Sequence, residues 1–451
     1  MKKMLLMTGP FNTRSGYGDH ARSIFYALEE TGLYEIHVMD VRWGNTPRNF
    51  LDPNNKKDAK LLDRFLPKPE LSRQPDIYID VRIPNEFETH GKVNIGVTAG
   101  IETTIVSKAW IEGVNRMDLV IVPSEHSKQS FVQTVYDAME NLPDGSQRKS
   151  HEVKVEKPIE VVFEGMDMDV YKPIKMKDLK TPLTNEVSKM IPEEFAFLHV
   201  GQWNQGGFGE DRKDIARLCK IFLESFANQK KQPALLLKTN GAGFSYMDHT
   251  EIKKKINLVK ETFPDDWVLP NIYLLHGDLK EEELNELYNH PKVKVFVSLT
   301  HGEGFGRPML EATLAGLPVI ASGWSGHLDF LDDKQSWLIP GKLNTVPESV
   351  VWEDIIVKES QWFTVDDHET FKVLTYAFEK NNYYQMKNKA TSLQRANSKK
   401  YTLANMNKQI ADLVAKYSEN IAVQKPITLP ELKKSAAPAP KVKLPKLTKM
   451  A

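Results

Sequence analysis

A single cysteine, Cys219, stands in 451 residues. That excludes an internal disulfide and a cysteine-based zinc site, and it fits a reducing compartment, so a cytoplasmic protein is expected. The thiol lies in a helical pattern and reads as a small buried apolar residue. Net charge is missing too: Lys plus Arg number 60, and so do Asp plus Glu. Such a balance argues against a protein that coats nucleic acid. Long apolar runs are absent, and no stretch approaches the roughly 18 apolar residues of a membrane helix. The opening MKKMLLMTGPF has a basic start. Gly9 and Pro10 break its short apolar run without a small-residue cleavage site, so it reads as a first β-strand and not as a signal peptide. What is present is ordinary for a globular protein, at 41% apolar and 27% charged residues. The length suggests about two or three domains.

Short apolar runs alternate with amphipathic segments. Strands are expected at Met4–Thr8, Glu35–Asp40, Asp76–Asp80, Val93–Val97, Leu119–Pro123 and Ile159–Phe163. A second series follows at Phe195–Val200, Ala234–Lys238, Ile272–His276, Val293–Ser298 and Pro318–Ala321. Helices fit between them, at Asp19–Glu30 with Gly32 as a stop, after a Ser124 cap, and at Asp214–Ala227, His249–Thr262, Glu281–Tyr288 and Pro308–Ala315. Nearly continuous apolar strands alternating with helices indicate parallel sheets covered on both faces. Two such series predict two doubly wound α/β domains, at residues 1–172 and 194–400. The proline- and lysine-bearing stretch 173–193 lacks a clear period and reads as their link. A closing helix is expected over Leu403–Tyr417. The tail beyond about Gln424, rich in Lys, Pro and Ala, is expected to be disordered and basic enough for weak contact with an anionic surface. Residues 142–158 read as an exposed polar loop.

The densest chemistry lies in THGEGFGRPMLEATLAGLPVIAS, Thr300–Ser322, after the strand VKVFVSL. Gly302, Gly304 and Gly306 remove side chains where the backbone turns into a helix. The free amides near Phe305–Arg307 offer a site for an anion or for sugar hydroxyls. Glu303 can accept hydrogen bonds from a sugar. Glu311, one turn inside the helix, can take both hydroxyls of a ribose, because one carboxylate has two acceptor oxygens.

Glu303-x7-Glu311 in this glycine-rich setting, with Pro308, Ala315-Gly316 and the preceding strand, resembles the donor-site motif of retaining glycosyltransferases of the GT-B fold, family 4. In HVGQWNQGGFGEDRK, Gly201, Arg212 and Lys213 match the glycine-ended strand and basic pair that meet the donor diphosphate in that family, although Gln205–Asp211 looks like an insertion. Lys238, at a sheet's carboxyl edge, is a further phosphate candidate. In GPFNTRSGYGDHA, Gly16 and Gly18 resemble the loop facing the diphosphate and acceptor, and Arg14 could add a cation. Glu102, Trp110, Asp118 and Pro123-Ser124 match a further family pattern in which an acidic residue stands where many relatives have a histidine. Glu102 is then either an acid that contacts acceptor or sugar, or a helix-start acid. His126 reads as a first-turn residue of its helix. Asp167 in GMDMDVYKP belongs to a turn that ends the first domain and is not read as a metal ligand. Asp332-Asp333 and Asp366-Asp367 read as solvated.

The resemblance covers residues 1–420 and is thin between Gly341 and Asp367. It implies two facing Rossmann-like domains, a nucleoside diphosphate sugar as co-substrate, a glycan or other hydroxyl acceptor, and transfer with retention. It calls for neither a cofactor nor a metal. A modified nucleic-acid base as acceptor is the alternative within the same class, against which the slightly acidic first domain speaks. A phosphorylase and a non-catalytic nucleotide-sugar-binding protein are the rivals on the same fold.

Overall fold

The computed structural model describes residues 2–142, 146–203, 207–241 and 243–421. The expected tail and part of the Gln205–Asp211 insertion therefore lie outside the described residues. Two six-stranded sheets, each parallel throughout, organise the chain. The first contains β1 (Lys3–Gly9), β2 (Tyr34–Asp40), β3 (Ile77–Val81), β4 (Val93–Val97), β5 (Leu119–Val122) and β8 (Ile159–Val161), in the order β2-β1-β3-β4-β5-β8. β6 (Tyr136–Asn141) and β7 (Gln147–Val153) form a separate antiparallel pair. The second sheet contains β9 (Ala196–Gln202), β10 (Ala234–Asn240), β11 (Ile272–Leu275), β12 (Val293–Ser298), β13 (Val319–Ser322) and β14 (Trp337–Ile339), in the order β11-β10-β9-β12-β13-β14. Their central strands are buried along nearly their whole length, as two-sided cover by helices requires.

In each sheet the order reverses next to its first strand, between β1 and β3 and between β9 and β12. Chains leaving neighbouring strands there depart to opposite faces and leave a crevice at the carboxyl ends. The β1–α1 turn, the β4–α3 loop and the β12–α9 turn all emerge at these edges, where α1 is Gly16–Thr31, α2 Lys56–Leu62, α3 Lys108–Arg116, α4 Glu125–Val132, α5 Pro182–Met190, α6 Ile215–Phe226, α7 Tyr246–Lys260, α8 Glu281–Tyr288 and α9 Arg307–Leu314. Caps set the helix starts. Ser15 accepts from the Gly18 amide and Ser124 from the Ser127 amide, while Gly32 ends α1 in the left-handed conformation at φ 63°.

Several expectations are corrected. α1 starts at Gly16, so Gly16 and Gly18 sit in its first turn and not in the preceding loop. The polar stretch expected as a loop contains β7, a strand whose side chains are exposed on both faces and therefore carry no alternating apolar signal. In the aperiodic link, α5 starts with Pro182 in its first turn, where a missing N–H costs nothing. Glu286 on α8 holds the α5 start, accepting from the Lys180 and Thr181 amides, both at 2.8 Å.

After β14 comes a segment that no motif announces. β15 (Gly341–Thr345) and β16 (Gln361–Val365) pair antiparallel, and the connection between them reaches the first domain. There Ser107 Oγ donates to the Asp354 carbonyl at 2.8 Å, Thr104 N–H to the Gln361 carbonyl at 2.9 Å, and Gln361 N–H to Thr104 Oγ1 at 3.0 Å. Ile355 and Ile356 pack on the first-domain cluster that contains Trp110 and Phe131. We call this segment the strap. α10 (Asp367–Phe378) and α11 (Lys380–Lys400) follow, and α12 (Leu403–Ser418) returns to pack on α1, burying Met406, Ile410 and Val414. Among the described residues no helix is long and apolar enough to cross a membrane.

Candidate active site

Four charged side chains meet between the two domains. Lys213 Nζ donates to Glu303 Oε1, Arg212 lies 3.6 Å from Glu303 Oε2, and the same guanidinium pairs with Glu102 of the β4–α3 loop at 2.8 Å. Burial by itself raises the Glu303 carboxyl, but Lys213 and Arg212 override it and hold the group below its ordinary range. Burial lowers the Lys213 ammonium despite Glu303 beside it. Glu303 is therefore a carboxylate whose charge is met by two cations from the β9–α6 loop. Its backbone N–H donates to Ser325 Oγ at 2.9 Å, and Ser325 holds a φ of 91°, a conformation rare outside glycine.

The glycines of the turn serve different ends. Gly306 has a φ of 97° and is the left-handed cap of α9. Gly302 and Gly304 have ordinary backbone conformations, and proximity to the first domain explains them. A Cβ on Gly302 would lie 2.1 Å from the Glu102 carbonyl oxygen, and one on Gly304 2.1 Å from that of Ala99. The Gly304 carbonyl accepts from Ser124 Oγ at 2.5 Å and Ser127 Oγ at 3.2 Å. The turn is thus pressed against the loops of the opposite sheet. Gly304→Ala is expected to lower unfolding free energy by about 1–3 kcal/mol through overpacking, read by denaturant titration. An unchanged midpoint would mean the domains accommodate the methyl freely.

Glu311 lies on the floor of a cleft of about 670 Å³ between the domains. Its Oε2 accepts from Tyr288 OH at 3.0 Å, and Arg307 Nε is 3.8 Å from Oε1. Burial pushes this carboxyl up to about 7, against the pull of Arg307. Gly16, Asp19 and Arg22 line the cleft from the first domain, and Phe244, Asp278 and Arg307 from the second. Arg14 reaches across its mouth to Asp278 at 2.5 Å.

Among the other sequence candidates, Gly16 and Asp167 line the same cleft. Lys238 Nζ donates to the Gly277 carbonyl at 2.7 Å in the loop after β11. The Phe305 ring is buried against Phe330 and Tyr401, which leaves its backbone to face the turn. Gly201 lies within β9 and leaves room for His199, whose Nε2 would be 3.0 Å from a Cβ there. Gly18 allows the Thr13 carbonyl to approach, a Cβ falling 2.5 Å from it, while Gly16 borders open space in the cleft. His126 hydrogen-bonds the Ile101 carbonyl through Nε2 at 3.2 Å, and burial lowers it to about 4. Asp167 closes a turn, accepting from the Asp169 amide at 2.8 Å.

Sequence reasoning passed over Arg307 and Glu164. Arg307 opens α9 and lies 3.5 Å from Glu164 at the end of the first sheet, so it ties the two domains beneath the cleft. Burial pushes Glu164 up to about 7. Arg307 stands within the motif, but nothing in its spacing names a partner some 140 residues away.

Residues 222–345 match the family model described as Glycosyl transferases group 1. Over that stretch, from α6 to β15, the chain is similar to group 1 glycosyltransferases. No curated protein matches it. Among solved structures it is similar to sucrose-phosphate synthase from Thermosynechococcus elongatus, at 13% identity over 92% of this chain and 99% of that one, TM-score 0.61. A glycosyltransferase from Rickettsia africae gives 13% identity over 93% and 99%, TM-score 0.59. Anabaena HepE, solved with UDP and glucose, gives 14% over 92% and 100%, TM-score 0.55. These likenesses show the fold, two facing Rossmann-like domains in the GT-B arrangement.

Proposed function

We propose that this chain is a glycosyltransferase that moves a sugar from a nucleoside diphosphate sugar to a hydroxyl of a glycan-type acceptor, with retention at the anomeric carbon. The observation that carries the reading is the Glu303–Lys213–Arg212 cluster between the two domains, together with Glu311 in the lining of the interdomain cleft. The leaving diphosphate gains negative charge in the transition state. Arg212 and Lys213 are fixed cations that can meet it without reorganising. Before the donor enters, Glu102 and Glu303 neutralise them. On binding, the diphosphate takes Arg212 from Glu102, which frees that carboxylate toward the acceptor side. Glu303 faces the transferred sugar and Glu311 holds the ribose. Gly16 and the α9 amides border the phosphates, and Gly201 and Lys238 shape the second-domain edge. The reaction then rests on positioning and charge, with the leaving phosphate taking the acceptor proton.

HepE is solved with UDP-glucose, which makes UDP-sugars the first donors to test. A thermal-shift screen across nucleoside diphosphate sugars checks the reading, because a ligand that binds the native state raises its melting midpoint. A rise with at least one donor is expected, and no rise with any of them at millimolar concentration would count against it.

The Glu311 carboxyl adds a pH signature. Held at about 7 against an ordinary 4.5, it binds a proton in the native state over that interval, where the unfolded chain does not. Its contribution to stability therefore falls as pH rises from 4.5 to about 7. Ribose hydroxyls need the carboxylate as acceptor, so UDP affinity is expected to increase over the upper part of the same rise. Calorimetry across this range should show a steeper increase for the native chain than for Glu311→Gln. A native response no steeper than that of the variant would remove Glu311 from the ribose.

A further inference from the structure

His301 is 1% exposed and belongs to no part of the mechanism above. Its ring stacks on Trp362 of the strap, with centroids 4.1 Å apart and planes at 11°. Nδ1 lies 2.6 Å from the Phe363 carbonyl oxygen, and Nε2 lies 3.2 Å from the Gly209 carbonyl oxygen. Asp214 Oδ2 lies 3.4 Å from Nε2. Asp214 also meets Arg217 at 2.7 Å, and Arg217 meets Asp367 at the start of α10, again at 2.7 Å. Asp211 lies in the same loop, Asp211 and Asp214 each leave one buried carboxyl oxygen unpaired, and the strap stacks Trp362 on the ring.

The loop so gripped is the one that carries the cations. His301 N–H donates to the Arg212 carbonyl at 2.9 Å, and Thr300 Oγ1 donates to the same oxygen at 3.2 Å. The Phe363 amide returns a bond to the His301 carbonyl at 3.0 Å. Gly209 and Asp214 bracket the loop with left-handed backbones, φ 75° and 49°, so no helix or ladder sets the directions of Arg212 and Lys213.

We infer that His301 is a positioning residue, which joins strap, motif turn and cation loop and so aims Arg212 and Lys213 at the leaving diphosphate. This rests on the role given to those two cations under the proposed function. The strap acquires a role with it, since β16 presents the Phe363 carbonyl and the Trp362 ring that hold the imidazole in place.

His301→Phe in the full chain tests this, because it keeps the stacking and loses the polar contacts of the ring. If it is folded by circular dichroism, its UDP affinity is expected to fall roughly tenfold, the worth of one charge-assisted hydrogen bond, with UMP affinity unchanged. No loss for UDP, or equal loss for both nucleotides, would refute the positioning role. Arg212→Ala measured in parallel separates the two claims. If it binds UDP as the native chain does, the diphosphate role of Arg212 fails, whatever His301→Phe shows.

Discussion

Lys213→Ala is expected to slow donor turnover by roughly 10²- to 10³-fold, the usual loss when one fixed donor to a developing oxyanion is removed. The lysine is buried against Glu303, and Arg212 stands on the other carboxylate oxygen. Taking the ammonium away has two consequences. The leaving diphosphate loses a cation, and Glu303 keeps only the more distant guanidinium. The second consequence could also disturb folding, because a buried carboxylate with less compensation is costly. The double variant Lys213→Met/Glu303→Gln removes both charges and restores balance. It should fold at least as well as Lys213→Ala and remain as slow. Stopped assays of diphosphate release, with melting midpoints recorded alongside, distinguish the two. A folded Lys213→Ala protein with native turnover would remove this cation from the mechanism.

Glu311→Ala carries the second large effect. Tyr288 and Arg307 hold the carboxylate at the cleft floor, and the ribose is proposed to take its acceptor oxygens. Each charge-assisted hydrogen bond is worth about 1.5–3 kcal/mol, so bare nucleoside diphosphate should bind roughly 10- to 150-fold more weakly. Glu303→Ala should leave that affinity almost unchanged, since Glu303 is proposed to face the sugar. Calorimetry with the bare diphosphate separates the two acids, and native affinity in a folded Glu311→Ala chain would end the ribose assignment.

The two sheets were readable because a buried parallel strand is a short apolar run, and each of Val93–Val97 and Val293–Ser298 is bounded as its pattern predicts. Local signals served wherever a side chain acts on its own neighbourhood. Gly32 and Ser124 are examples. Where the cause is distant, the pattern is silent. Gly302 and Gly304 look like turn glycines, yet what excludes their side chains is the carbonyl of a loop in the other domain. β7 is polar because both its faces are exposed, and α5 hides behind its own proline. The strap has neither motif nor repeat, and its two short strands depend on each other and on residues 104–107. Arg212, Lys213, Glu303 and Glu102 could each be singled out by residue type and position, but the ion pairs that bring Glu102 to Arg212 across the domains are tertiary facts.

The account stands most directly on what Glu303 does to diphosphate release. The measurement is the rate at which nucleoside diphosphate appears from a panel of nucleoside diphosphate sugars, for the native chain and for Glu303→Ala. Glu303→Ala should first be confirmed to be folded and to bind the bare diphosphate like the native chain. The account predicts that the native chain turns over at least one donor and that the variant releases diphosphate from it at least about 100-fold more slowly. Equal rates in the two proteins, or release of sugar 1-phosphate in place of nucleoside diphosphate, would contradict it.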